Sequence, residues 1–543
     1  MEQAPDGGRS RGQTGGWDKG IESMNISRRN AITVIAGAPA LLLPRRSLAQ
    51  DVVPDIEKGP FNGTRDALKE YQVPQWFRDA KFGIWAHWGP QSAAEDGDWY
   101  ARNIYIQGSP QNKDHVERFG HPSKFGHKDI CKMWTADKFD PDHLMQLYKK
   151  AGAKYFMSMG VHHDNFDLWD SKHQPKWNSV AMGPKKDIVG LWEKAARKQG
   201  LRFAVSEHLA YSYLWWTVSH GSDQTGPMAG VPYDGADPQY ADLYHEYAKE
   251  FLAPTPGNQV PGGRAVPLAW KQHYFARIKD LIDKHQPDLL YNDGSIVYPE
   301  VGYHLVSHLY NVSAKVHGGK VEAVYTSKGR TDCDTGTCVF DIERGVADQI
   351  MPNPWQTDTC IGAWHYKRGI EYKSPKQVVD MLCDIVSRNG NLMLNFPLPN
   401  SGELDPKELK VLDEITRWMA VNSEGIYSSR PWKISGDGPG SKPAATPNER
   451  FNENSRKNLT AEDTRFTTKA GALYAFLMGW PGKEASIPAL ALGGKNSVPR
   501  IRNIELLGHK GKLKWTQNAG TLKVELPEEK PCDYAVTFKI ALA

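Results

Sequence analysis

The residue with the clearest chemical potential in this sequence is Asp293, which lies just after the apolar run 289–291 and directly before Gly294. In a barrel enzyme, catalytic side chains stand at the carboxyl ends of the strands, where such a run would place this carboxylate. A carboxylate in that position can attack the anomeric carbon of a sugar if a second carboxyl group protonates the leaving oxygen. A helix cap or a turn with Gly294 is the structural alternative for Asp293.

Three other segments are built in the same way, as an apolar run that ends in polar residues able to bind a sugar hydroxyl or transfer a proton. If the runs are strands of one barrel, their polar ends converge on a single pocket. A lone histidine is more often structural, but four such strand ends favour a common site. The three segments are 82–89, with His87; 155–164, with His162 and His163; and 203–208, which ends on Glu207 and His208.

The adjacent pair His162 and His163 also suggests a metal site. Neighbouring residues on a strand point to opposite faces, so both imidazoles can ligate one ion only if the strand has already ended. Hydrogen bonds to two different sugar hydroxyls suit a pair on a loop better. We therefore expect these residues to bind substrate and not a metal, with a binuclear metal hydrolase as the alternative.

The elements that position these residues alternate between strand-like and helix-like stretches from about residue 76 to residue 425, which is the pattern of repeated βα units. The helical stretches 140–151 and 188–198 are followed by glycine at their carboxyl ends, at Gly152 and Gly200. About eight strands result, as a (β/α)8 barrel requires, and no glycine-rich nucleotide turn favours a doubly wound sheet. The later strands are expected at 289–291, 321–325, 339–342, before Trp364 and at 391–396.

After residue 430 the composition and the hydrophobic pattern of the sequence change. A stretch rich in Gly, Pro, Asn and Ser between Lys433 and Arg465 indicates a linker or irregular loops. Four strand-like runs follow, several of which alternate with period two, and they predict a small antiparallel β-sandwich. We therefore divide the chain into an N-terminal extension with a signal peptide at 1–50, a (β/α)8-like catalytic domain at 51–430, and a linker with a C-terminal β-sandwich domain at 431–543.

The N-terminus carries the features of a twin-arginine export signal. Arg28 and Arg29 precede the apolar run 31–44, and the small residues at 47–49 offer a cleavage site. The apolar run is shorter than the roughly 20 residues that a membrane-spanning helix needs, so we expect no membrane anchor. The sequence thus predicts an exported protein, either periplasmic or extracellular.

Charge and cysteine content narrow the class of protein further. The net charge of +4 is small for 543 residues, and no long basic run occurs after the first fifty positions, so nucleic acid is not an expected partner. Six scattered cysteines are too few for a disulfide framework. Cys333 and Cys338 are close enough in sequence to form a small disulfide loop in an oxidising compartment, and free thiols are the alternative.

Five segments together resemble the signature blocks of the α-L-fucosidases of glycoside hydrolase family 29, in the order that this family has them. The resemblance implies a (β/α)8-like catalytic domain, a C-terminal β-sandwich, no cofactor, and hydrolysis of terminal fucose with retention. It makes Asp293 the nucleophile and places His87, Trp99, His162 and His163 around the fucose ring, with Tyr211 and Trp364 as further substrate-binding residues. The matching segments are 80–89, 98–103, 162–166, 291–294 and 389–395.

The general acid/base is where the sequence departs from this family. Many members carry Trp-Glu shortly before a Trp-Gly-Tyr block, and here Gln356 stands in place of that Glu. An amide cannot donate a proton at a useful rate, so we expect Glu343, at the end of the run 339–342, to serve instead. Asp358 and Glu207 are held in reserve, and a salt bridge with Arg344 is the structural alternative for Glu343. A second departure is Asp98, where many members have Glu.

These observations predict a retaining, exo-acting α-L-fucosidase that acts on fucosylated oligosaccharides or a fucose-containing polysaccharide. Two alternatives remain open at this point. A fucose-binding protein that kept the pocket but lost its acid would also explain Gln356. A related exo-glycosidase selective for another sugar would explain the altered positions Asp98 and Gln356 as changes in specificity.

Overall fold

The computed structural model describes residues 54–248, 252, 266–441 and 450–543. The extension and the export signal predicted at residues 1–50 lie outside these described residues. Among the residues that are described, no helix is both long and apolar enough to cross a membrane.

Eight parallel strands close into a barrel in sequence order, with β8 paired to β1. Nearly every residue of these strands is buried, because side chains on one face fill the barrel and those on the other pack against helices. The strands are β1 (Phe82–Ala86), β2 (Tyr155–Val161), β3 (Arg202–Glu207), β4 (Leu289–Asn292), β5 (Val324–Ser327), β6 (Val339–Asp341), β7 (Trp355–Cys360) and β8 (Gly390–Asn395).

Helices cover most of the barrel, although only the four-residue α12 lies between β5 and β6 and no helix lies between β6 and β7. The barrel is therefore (β/α)8-like. The helices are α1 (Arg65–Leu68), α2 (Gln75–Ala80), α3 (Tyr100–Asn103), α4 (Pro110–Phe119), α5 (His127–Met133), α6 (Pro141–Lys150), α7 (Ile188–Lys198), α8 (Ser212–Trp215), α9 (Ala241–Tyr244), α10 (Leu268–His285), α11 (Pro299–Val316), α12 (Arg330–Cys333), α13 (Pro375–Ser387) and α14 (Pro406–Asn422).

Local signals in the sequence set the ends of the helices. Asp140 caps α6 by accepting a hydrogen bond from the backbone N–H of His143 at 3.0 Å, and Asp187 caps α7 in the same way. After these two helices, Gly152 and Gly200 have φ angles of 100° and 72°, which glycine adopts without a steric penalty. The predicted helices at 140–151 and 188–198 are thus confirmed to within a residue or two.

Two antiparallel sheets follow the barrel and share one apolar core, to which strands of both sheets contribute. The stretch expected to be linker begins with a strand, since β9 runs through Lys433 as an edge of the larger sheet. The larger sheet has the order β13 (Ile501–Leu506), β16 (Val536–Leu542), β11 (Ala472–Leu477), β10 (Thr464–Lys469) and β9 (Arg430–Asp437); the smaller has the order β12 (Glu484–Ile487), β15 (Leu522–Glu525) and β14 (Trp515–Gln517).

The predicted fold class, a (β/α)8-like barrel followed by a C-terminal β-sandwich, is confirmed. The strand expected at 321–325 is displaced, because β5 begins at Val324 and continues to Ser327. Cys333 and Cys338 form a disulfide with a Cα–Cα distance of 4.8 Å, which settles the open question about this pair.

Candidate active site

Asp293 lies at the carboxyl end of β4, where the sequence analysis placed it. Its Oδ1 atom is 2.8 Å from Lys328 Nζ and accepts a hydrogen bond from Tyr291 Oη at 3.3 Å. Its Oδ2 atom is 3.4 Å from His163 Nε2 and 3.3 Å from His208 Nδ1. The side chain keeps 24% of its surface exposed, so this carboxylate is held by donors on several sides and still reaches the pocket.

Lys328, directly after β5, joins three carboxylates of the site. Its ammonium nitrogen lies 2.8 Å from Asp293 Oδ1, 2.7 Å from Glu343 Oε2 and 3.4 Å from Asp358 Oδ2. One nitrogen this close to two oxygens limits their separation to the sum of the two distances, so Asp293 Oδ1 and Glu343 Oε2 are at most 5.5 Å apart. Lys328 thus fixes the spacing of the two expected catalytic carboxyl groups.

The three acids considered for proton transfer occupy different environments. Glu343 follows β6 and keeps 15% of its side chain exposed, whereas Asp358 on β7 is 1% exposed and accepts a hydrogen bond from Tyr291 Oη at 2.8 Å. Glu207 is fully buried and accepts hydrogen bonds from Tyr274 Oη at 2.9 Å and from the backbone N–H of Leu209 at 3.0 Å. Of the three, Glu343 is the one placed to touch a bound substrate.

Gln356 lies inside the barrel beneath this site and is fully buried. Its amide donates to Asp341 Oδ2 at 2.7 Å, and its carbonyl accepts from Tyr155 Oη at 2.9 Å. A carboxyl group at this position would be enclosed by those partners. The amide at position 356 therefore does not by itself remove the acid from the pocket.

The surroundings of Asp293 and Glu343 shift the pKa values of the two carboxyl groups in opposite directions. Burial would raise the pKa of Asp293, but Lys328 and His208 outweigh it and hold the pKa well below its ordinary value. Burial raises the pKa of Glu343, with Asp358 and Asp293 adding to the rise against the opposing effect of Lys328. Environments that push the pKa values of two neighbouring acids apart suit one group to act as the ionised nucleophile and the other as the acid.

Four histidines line the other side of the pocket, at the ends of β1, β2 and β3. His87 is 5.2 Å from His162 between ring centroids and 5.3 Å from His208, and His162 is 4.6 Å from His163. Neither ring nitrogen of His87 has a hydrogen-bond partner in the structure. Burial lowers the pKa of His87, His162 and His208, which favours the neutral form, and a neutral imidazole can donate one hydrogen bond and accept another.

The aromatic residues predicted to bind substrate lie around these histidines. The rings of Trp99 and Tyr211 are 5.9 Å and 6.2 Å from the ring of His163, and Trp364 is 5.5 Å from His87. The structure thus brings together all eight residues that the sequence analysis assigned to the site. It also explains Gly294, because a Cβ atom there would overlap the hydroxyl oxygen of Tyr211.

Known proteins share this arrangement of domains. A family model described as alpha-L-fucosidase matches residues 48–424, and a second, described as the alpha-L-fucosidase C-terminal domain, matches residues 456–541. The chain belongs to the α-L-fucosidase family. Its members are glycoside hydrolases, so the enzymatic class predicted from the sequence is confirmed.

Individual members of the α-L-fucosidase family match this chain along most of their own length. Human tissue alpha-L-fucosidase is 26% identical over 499 residues, which cover 87% of this chain and 90% of that protein, and human plasma alpha-L-fucosidase is 25% identical over 492 residues. The solved structure of Thermotoga maritima alpha-fucosidase in complex with fucose has a TM-score of 0.65 at 24% identity and covers 88% of this chain and 99% of its own. That of alpha-L-fucosidase isoenzyme 1 from Paenibacillus thiaminolyticus has a TM-score of 0.61 at 20% identity. These structures share the fold.

Three pocket residues of this α-L-fucosidase family member were missed by the sequence analysis. Lys328 directly follows a strand, so its position at a strand end was the available signal. His208 was named at the end of the run 203–208 but was not assigned to the site. His365 follows Trp364 and its Nδ1 lies 2.7 Å from Asp98 Oδ1, which gives the altered position Asp98 a defined partner. No local signal connects Arg450 with the site, although its Nη2 atom lies 3.0 Å from Glu343 Oε2.

The positions of the histidines also bear on whether they could bind a metal ion. Because β2 ends at Val161, both His162 and His163 leave the strand and point toward His208, and the argument from strand geometry against shared ligation does not apply. Within the described part of the chain, two groups of side chains are compact enough to hold an ion: His87, Asp98, His162 and His365, and separately His162, His163 and His208.

We expect activity to be independent of a metal ion, because neutral imidazoles with free ring nitrogens also suit sugar hydroxyls. After exhaustive dialysis against EDTA, turnover of an aryl α-L-fucoside should stay within about twofold of the untreated enzyme, a change smaller than loss of any single catalytic group causes. Loss of activity with EDTA and its return with zinc or manganese would instead assign the histidines to a metal.

Proposed function

We propose that this protein hydrolyses terminal α-L-fucose from fucosylated oligosaccharides or polysaccharides, with net retention of the anomeric configuration. The observation that carries the proposal is the pair Asp293 and Glu343, held by Lys328 and with pKa values shifted in opposite directions. Membership of the α-L-fucosidase family supports fucose as the sugar.

In the first step, the ionised carboxylate of Asp293 attacks the anomeric carbon of fucose. The bond from that carbon to the leaving oxygen breaks, and the Glu343 carboxyl group gives its proton to this oxygen. The product is a β-fucosyl ester of Asp293. The lowered pKa of Asp293 and the raised pKa of Glu343 match these two roles.

In the second step, the ionised Glu343 takes a proton from a water molecule as the water oxygen attacks the same carbon. The ester bond to Asp293 breaks, which restores both carboxyl groups and releases α-L-fucose. Retaining enzymes keep their two carboxyl groups roughly 5 to 5.5 Å apart, whereas inverting enzymes need roughly 6.5 to 9.5 Å for an intervening water. The upper limit of 5.5 Å between Asp293 Oδ1 and Glu343 Oε2 favours retention.

The histidines and aromatic residues supply the fucose pocket in this proposal. His162 Nδ1 is paired with Gln91 Nε2 at 2.8 Å, and His163 Nδ1 with the backbone oxygen of His208 at 2.7 Å. An amide nitrogen can only donate and a carbonyl oxygen can only accept, so these partners favour opposite tautomers in the two rings. The Nε2 atom of His162 is then a donor toward the pocket, while that of His163 lies 3.4 Å from Asp293 Oδ2.

A hydrolysis assay tests the proposal directly. The purified enzyme should release the aryl group from 4-nitrophenyl α-L-fucoside, and proton NMR should show α-L-fucose before mutarotation produces the β anomer. A panel of aryl glycosides that differ in the sugar provides the specificity control. Release of another sugar in preference to fucose would identify an exo-glycosidase of different specificity, and tight fucose binding without turnover would identify a binding protein.

Activity on a fucoside with a poor leaving group is expected to follow a bell-shaped pH profile. Glu343 must be protonated in the first step, and since its pKa is raised, activity should fall only as the pH rises through that raised value. Asp293 must be ionised, and its lowered pKa places the acid limb at low pH. The measurement is kcat/KM against pH for the wild type and for Glu343→Gln, whose residual activity on an aryl fucoside should lack the alkaline limb. A limb that persists in this variant would belong to another group.

We also propose that the protein is exported. The twin-arginine pattern at Arg28 and Arg29 supports this, and the disulfide between Cys333 and Cys338 suits an oxidising compartment. Replacing both arginines by lysine should retain the full-length protein in the cytoplasm of a bacterial host with a twin-arginine pathway. Equal export of the variant and the wild type would contradict this signal.

A further inference from the structure

Phe451 is an exposed aromatic residue beside the proposed acid/base. With 56% of its surface exposed, it is the most exposed of the large hydrophobic residues in the described part of the chain and the one aromatic residue among them. It belongs to the segment 450–453, which is part of the connection between strands β9 and β10 of the C-terminal sheet. A single exposed apolar side chain is ordinary, so a role for this ring has to be argued from its position.

The segment 450–453 is tied to the residues around Glu343. The backbone N–H of Phe451 donates to the backbone oxygen of Glu343 at 2.9 Å, and that of Glu453 donates to the backbone oxygen of Arg344 at 3.1 Å. Arg450 Nη2 lies 3.0 Å from Glu343 Oε2, and its guanidinium carbon lies 5.6 Å from the centroid of the Phe451 ring. Arg450 therefore links the Phe451 ring to the Glu343 carboxyl group, which is the proposed acid/base.

The side chains of the same segment hold it rigidly in place. The side chain of Asn452 donates to the backbone oxygen of Val346 at 3.0 Å, and its amide oxygen accepts from the backbone N–H of Val346 at 3.0 Å. Glu453 accepts from Arg344 Nε at 2.6 Å and from Thr359 Oγ1 at 2.7 Å. A ring presented on such an anchored segment loses little conformational freedom when a ligand covers it.

The backbone of Phe451 is itself unusual. Its φ angle of 55° lies in the left-handed region, which is a strained conformation for a bulky residue. Arg344, its neighbour across the hydrogen-bonded contact, has a φ angle of 46°. Strain of this kind persists where surrounding contacts enforce it, and it is concentrated at functional sites.

We propose that Phe451 is the platform for the leaving group, and that it stacks on the apolar face of the sugar ring to which fucose is attached. This inference rests on the proposed function. Glu343 must contact the glycosidic oxygen, so the ring on the far side of that oxygen lies against the surface beside Glu343. An aromatic face binds the C–H face of a pyranose by apolar contact. The C-terminal domain thereby selects substrates whose fucose is linked to another pyranose.

Two substrates with equally poor leaving groups test this role. One is a disaccharide in which fucose is α-linked to a hexopyranose, and the other is methyl α-L-fucoside, which needs the same proton but carries no ring. We expect Phe451→Gly to lower kcat/KM on the disaccharide by about tenfold, since apolar stacking is lost, and to leave methyl α-L-fucoside within about twofold. Glycine accepts the φ angle of 55° and keeps the backbone donor to Glu343.

Two further variants complete the experiment. Phe451→Trp should keep or improve activity on the disaccharide, because a larger ring preserves the platform. Val316→Ala is the matched control, since Val316 is an apolar residue 53% exposed at the end of α11. It should leave kcat/KM on both substrates unchanged.

Equal losses on both substrates would overturn the inference, because they would mean that Phe451 acts through the position of Glu343. No loss on either substrate would also overturn it, since the ring would not touch the leaving group. If the wild type hydrolysed neither fucoside, the proposed function itself would fail, and the inference with it.

Discussion

Replacing Asp293 by Ala is expected to reduce turnover of an aryl α-L-fucoside by at least about a thousandfold, because the covalent route requires this carboxylate. The position of the side chain, within 2.8 Å of Lys328 Nζ and open to the pocket, supports this role. Added azide can enter the space left by the carboxylate and attack the anomeric carbon from the same side. The rescued product should therefore be β-fucosyl azide, which NMR distinguishes from its anomer.

Asp413→Ala is a suitable control for the loss of one carboxylate. Asp413 lies on α14 with 58% of its side chain exposed and pairs with Arg417, so its removal should leave turnover unchanged. Circular dichroism and thermal unfolding would confirm that both variants are folded. More than about a tenth of wild-type activity in folded Asp293→Ala, a loss too small for a missing nucleophile, would show that the assignment is wrong.

Replacing Glu343 by Ala is expected to slow substrates with poor leaving groups far more than activated ones. A disaccharide needs a proton on its leaving oxygen and should lose about a thousandfold or more in kcat/KM, whereas an aryl fucoside with a good leaving group should lose much less at this step. Hydrolysis of the fucosyl ester then becomes slow, because no base activates water. Azide needs no base, so it should restore turnover and give α-fucosyl azide.

The two azide products distinguish the two roles, because azide replaces the nucleophile in one variant and water in the other. Asp358→Asn and Glu207→Gln are the matched variants for the acids held in reserve. Both residues are buried and accept hydrogen bonds, and neither variant should show azide rescue. Equal losses on both kinds of substrate in Glu343→Ala, without rescue, would return the acid/base role to Asp358 or Glu207.

Much of the barrel could be predicted because its signals are local. The capping residues Asp140 and Asp187, together with the glycines after the helices, mark α6 and α7 within a residue or two of their observed ends. Asp293, His87, His162 and His163 were found because strand ends in a parallel barrel all reach one face. That inference needs only the positions of the strands and not their exact packing.

The choice among the three acids could not be settled in this way. Glu343, Asp358 and Glu207 are all carboxyl groups at or near strand ends, and the sequence gives no measure of their exposure. Only the packed barrel buries Asp358 and Glu207 and leaves Glu343 partly exposed at the pocket. The same packing turned Gln356 inward, so its relation to the acid/base was a question for the tertiary structure.

The sequence by itself determined the order of elements, the fold class and the family, because periodicity, helix caps and strand-end motifs are local features that span only a few residues each. The tertiary structure decided the electrostatics and the leaving-group side of the pocket. Lys328 acts on carboxyl groups from β4, β6 and β7, and Arg450 and Phe451 reach Glu343 across more than a hundred residues. The pKa of a group depends on burial and on all nearby charges, and those neighbours come together only when the chain has folded.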